Sequence, residues 1–86
     1  MPYIRKEKRQ DFYLHISELS HVIANSGELN YAITRLVWNF VKSHGLSYAT
    51  IATVTGVLKN VADEFYRRVA APYENSKLAQ NGDVYQ

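Results

Sequence analysis

The chain has 86 residues and a mass of 9.9 kDa, which by length is one small domain. It has no cysteine, so neither a disulfide nor a thiolate metal site can staple it. Hydrophobic residues make up 47% and charged residues 21%, the balance of a folded globule rather than a disordered one, and the net charge of +2 is too small to imply nucleic acid by itself. No apolar run approaches the ~18 residues of a membrane span and no secretory signal opens the chain. The expectation is a soluble cytoplasmic protein with no membrane partner. A domain this small buries only roughly 60% of its unfolded surface, so helix packing and self-association are the available sources of extra stability.

The first element spans about 5–25. Phe12, Ile16, Leu19 and Ile23 are spaced by four, three and four, which is one face of an α-helix. Asn25-Ser26-Gly27 reads as its stop. The second helix spans about 27–43, with Leu29, Ile33, Leu36 and Phe40 at the same spacing. Asn25 and Glu28 form a capping box at its start. Lys42 and His44 suit the negative end of the helix dipole, and Gly45 is the natural C-cap.

The third helix, about 47–71, opens on Ser47 as N-cap, with Leu46 and Ile51 placed as a hydrophobic staple. Ile51, Val54, Leu58, Val61 and Phe65 continue one stripe, with Val69 a turn beyond. Pro72 is expected to end or kink it. A short tail helix, about 73–80, runs toward Asn81-Gly82. Val84 and Tyr85 are apolar enough in a polar tail to be expected to dock.

Three amphipathic helices on short connections give an all-α, three-helix antiparallel arrangement with a long third helix. Part of that third stripe lacks a partner of equal length. Val37, Trp38, Val41 and Val57 lie off the main stripes. Homo-oligomerisation is therefore expected, with Trp38, Val41, Gly56 and Val57 at the interface. Gly56 costs about 1 kcal/mol inside a helix, which is accounted for by close approach of another backbone or a ligand.

The chemistry-bearing groups are few. His15, Glu18 and His21 stand three apart, so the histidines diverge by about 120° and do not make a helical zinc pair. Asp63–Arg67 and Glu64–Arg68 read as two solvated ion pairs at i, i+4 spacing. One adjacent acid pair cannot converge on magnesium, no serine sits in a glycine-rich elbow, and no glycine loop cradles phosphate. The expectation is a protein that is not an enzyme, with no cofactor, no metal and no catalytic residue.

Two patterns point to binding. Arg5, Lys6, Lys8 and Arg9 form a basic arm. Residues 45–57, from Gly45-Leu46-Ser47 through Ala52 to Gly56-Val57, resemble helix-turn-helix motifs, which makes a DNA-binding regulator using residues 46–68 one alternative. Leu58 stands where that motif wants a polar cap, and Asp63 and Glu64 would face phosphate. The second pattern pairs aromatic faces with cations. Tyr31, Arg35, Tyr66, Arg67, Arg68 and Tyr73 are the expected site for a nucleotide-like anionic ligand or a host protein.

Several peptides resemble a family of small uncharacterised all-α proteins of bacteriophages and bacteria. They are Met1-Pro2-Tyr3-Ile4, residues 27–34, Gly45-Leu46-Ser47-Tyr48-Ala49, Gly56-Val57-Leu58, Glu64-Phe65-Tyr66-Arg67-Arg68-Val69, Ala71-Pro72-Tyr73-Glu74 and the terminal Asn81-Gly82-Asp83-Val84-Tyr85. The resemblance implies a phage or prophage origin and an all-α fold, and it carries no activity to transfer. Lys59-Asn60 replaces an expected acidic residue after Val57-Leu58. By analogy, small phage-borne helical proteins sequester a host signal nucleotide, block a host protein or serve as a structural or assembly component of the virion.

Overall fold

The computed structural model describes residues 2–85. The fold is all-α, with α1 at Lys6–Val22, α2 at Ser26–His44, α3 at Tyr48–Phe65 and α4 at Ala71–Asn81. One π-helical turn, Tyr66–Ala70, joins α3 directly to α4. The helices therefore fall into three runs, and no strand occurs among the described residues. The chain divides into two compact units, Met1–Val54 and Thr55–Gln86.

In the first unit the helix ends follow from local hydrogen bonds. Asn25 Oδ1 accepts from the Glu28 N–H at 2.9 Å, and the Ala24 N–H donates to Glu28 Oε1 at 2.7 Å. This is the reciprocal logic of a capping box, and it fixes where α2 begins. It also overturns the expected stop for α1. With Asn25 committed to an extended N-cap conformation (φ −152°), α1 ends earlier, at Val22, and Gly27 is a residue of α2. At the other end of α2 the Gly45 N–H donates to the Val41 carbonyl at 2.8 Å with φ +90°, a backbone conformation that favours glycine. Ser47 Oγ accepts from the Thr50 N–H at 3.1 Å and starts α3.

Side-chain burial in this unit is slight. Val41, at 7% exposure, is the one buried hydrophobic residue among those described. α1 and α2 share no packed interface. Their stripes, Phe12–Ile16–Leu19 and Leu29–Ile33–Leu36–Phe40, stay exposed along their length.

The second unit carries the rest of the long helical run. Helix geometry passes through Gly56 without a turn. A Cβ built at Gly56 would meet nothing within 4 Å, so the close approach expected there does not occur within the chain. Pro72 neither ends nor sharply breaks the run. It has no N–H to donate to the Arg68 carbonyl, and its ring would crowd that carbonyl in α geometry. The chain answers by widening: the Ala71 N–H bonds to the Tyr66 carbonyl, five residues back. α4 then proceeds to Asn81 and is closed by Gly82 (φ +87°), whose N–H donates to the Leu78 carbonyl at 2.9 Å. The expected docking of the tail is absent, since Val84 and Tyr85 are 89% and 94% exposed.

Candidate functional site

The six expected ligand-binding residues fall into two groups. Tyr31 and Arg35 lie one turn apart on α2, in the first unit. Tyr66, Arg67 and Arg68 occupy the π-turn, and Tyr73 lies in the first turn of α4, all in the second unit.

At the π-turn the expected ion pairs are rearranged. Arg67 pairs with Glu64, three residues back, and its Nε donates to Glu64 Oε1 at 3.1 Å. The contact shown is at i, i+3 spacing, where the i, i+4 pairs of a regular helix are expected. Lys77 Nζ sits 5.5 Å from the centre of the Tyr73 ring. A concavity of about 410 Å³ lies against α4, lined in part by Tyr66, Tyr73, Glu74, Lys77, Asp83 and Tyr85. It holds two carboxylates as well as one cation, which weakens its fit to an anion.

On α2 the arrangement is different. At about 100° per residue, Tyr31, Arg35, Trp38 and Lys42 fall within a band of about 60°. The stripe Leu29–Ile33–Leu36–Phe40 lies on the opposite side of the helix. Tyr31 is 67% and Trp38 45% exposed, and Arg35 and Lys42 are exposed as well. Among the described residues none of these four side chains has a hydrogen-bond, ion-pair or ring partner. No Asp or Glu occurs between Glu28 and Asp63.

Trp38, expected at a subunit interface, thus shares a face with the two α2 ligand residues. The signal was available in the spacing 31, 35, 38, 42. Of the other expected interface positions, Val57 is exposed on α3, Gly56 borders open space and Val41 is covered within the chain. The basic arm is partly engaged: Lys8 pairs with Asp11 at 3.0 Å, and Arg9 Nε donates to the Ile4 carbonyl at 3.0 Å. No three His, Asp or Glu converge as a metal cluster among the described residues, and no helix is long and apolar enough to cross a membrane.

The family model described as "domain of unknown function (DUF6899)" matches residues 1–84, and the chain belongs to that family. No curated protein and no solved structure matches it.

Proposed function

We infer that this member of a family without an assigned activity is a non-enzymatic, phage-type binding protein. It works as a homo-oligomer in the host cytoplasm and grips a nucleotide-like anionic ligand or blocks a host protein. The observation that carries this reading is the surface left uncovered. Within the first unit the stripes Phe12–Ile16–Leu19 and Leu29–Ile33–Leu36–Phe40 are exposed, and α1 and α2 share no packed interface. A stable protein–protein contact needs about 800 Å² per partner, and such stripes can supply it. Exposed stripes at helical spacing are the surface such contacts bury.

The unbroken α3 supports this reading over a helix-turn-helix regulator, because that motif needs a turn near Gly56. Unpaired aromatic and cationic side chains on α2 support an anionic ligand. Light scattering on the full chain tests the assembly: a strictly monomeric species removes it. Isothermal titration with cyclic di- and trinucleotides tests the ligand. Absence of micromolar binding ends the signal-sequestering version and leaves a protein partner.

A further inference from the structure

The α2 face opposite the apolar stripe has the make-up of a stacking strip. We propose that Tyr31, Arg35, Trp38 and Lys42 bind single-stranded nucleic acid, the two rings stacking bases and the two cations holding phosphates. This rests on the reading that Tyr31 and Arg35 belong to an anion site, and it names the class of that anion as a strand.

Three observations converge on it. The first is alternation. Aromatic, cation, aromatic and cation follow one another along one face, at about 6, 4.5 and 6 Å of axial rise. Tyr31 and Trp38 are about 10.5 Å apart along the axis, close to three nucleotide spacings of a stacked strand. Base–aromatic stacking with cations between the rings is how strands are held without sequence preference.

The second is the lack of internal partners. Some cations are engaged within the chain, as Lys8 is with Asp11, Arg67 with Glu64 and Lys77 with the Tyr73 ring. Arg35 and Lys42 have none of these, and the nearest acids in sequence are Glu28 and Asp63. Their positive field is left for something outside the chain.

The third is the poor fit of a second copy. A second copy laid on this face would gather four cations into one contact with no carboxylate among them, which is costly. The apolar stripe on the far side of α2 suits self-association better. The two faces can therefore be used at once.

Trp38 is the sole tryptophan, so its emission reports on this strip alone. The full chain is titrated with a twelve-nucleotide oligothymidylate, the matching oligouridylate, inorganic polyphosphate and a duplex of equal length at low salt. The expected result is quenching by both single strands, weaker binding by the duplex, and loss of affinity as salt rises. Polyphosphate is expected not to quench as the strands do. Binding of labelled oligonucleotide by Trp38→Ala should fall tenfold or more, with Trp38→Phe retaining part of it. Arg35→Gln and Lys42→Gln should each flatten the salt dependence by about 0.7 in log–log slope. Circular dichroism confirms that each variant folds, and these exposed polar changes keep the test alive if Trp38→Ala does not.

The proposal is overturned if neither strand binds at low salt, if Trp38→Ala binds the strand unchanged, or if duplex or polyphosphate matches the single strands. Failure here with retained binding of a cyclic nucleotide leaves the broader anion reading intact. A monomer by light scattering strikes the oligomer reading and not this one.

Discussion

α2 and the helical run from Tyr48 to Asn81 differ in backbone regularity and in how many of their cations are engaged within the chain. α2 is bounded by well-made caps, Asn25 with Glu28 at its start and Gly45 at its end, yet its outward cations go unmatched. The longer run carries a wide turn in its interior, and there Arg67 and Lys77 are engaged with Glu64 and the Tyr73 ring while Lys59 and Arg68 show no such contact. Regular backbone and self-satisfied charge are therefore independent in this molecule. A helix can be locally complete and still present a face that only a second molecule can complete.

The largest expected effect comes from breaking the apolar side of α2. Leu36→Glu places a carboxylate in the middle of the stripe Leu29–Ile33–Leu36–Phe40. If a second copy covers that stripe, burying an unpaired charge costs several kcal/mol, and assembly is lost. Light scattering should show the fall in mass, with a lower thermal midpoint by circular dichroism. An unchanged mass would assign self-association to another surface.

A middle-sized effect is expected at the π-turn. Pro72→Ala restores a backbone donor and removes the ring from the Arg68 carbonyl. Regular α geometry can then return, with a gain of up to about 3 kcal/mol, the cost of an interior proline. Amide exchange at Ala71 and its neighbours should slow. If exchange is unchanged, the wide turn has a cause other than proline.

The smallest effect sharpens the contrast in charge. Glu64→Gln removes the Arg67 partner at an exposed guanidinium, so stability should change by only a few tenths of a kcal/mol. The second unit would then have a further cation without its carboxylate, beside Lys59 and Arg68. Its oligonucleotide affinity, read beside Arg35→Gln, shows whether free charge alone suffices or whether the aromatic alternation of α2 is needed.

Much of the local structure was legible in the residues. Asn25, Glu28, Gly45, Ser47 and Gly82 act through bonds that span five residues or fewer, so spacing alone places them. The end of α1 was misplaced because two signals overlapped: the stop expected after α1 and the cap that starts α2 both use Asn25, and the cap prevailed. Pro72 announced a disturbance without its form, since a kink, a break and a widened turn each relieve the same clash. The missing contact between α1 and α2 was not legible, because an amphipathic stripe states that it needs cover and not which surface supplies it. At the candidate site, Tyr31 and Arg35 stood out by type. Trp38 was grouped with the apolar residues by its chemistry, while its angle around the helix sets it beside them.

The π-turn also bears on how far any partner can follow the long helical run. One added residue turns everything beyond it by about 100° about the axis. The line Leu58–Val61–Phe65 is thereby cut off from α4 rather than extended into it. A companion helix lying along that line loses phase with this one after Phe65, so the repeat length of shared packing is set by a proline several residues downstream.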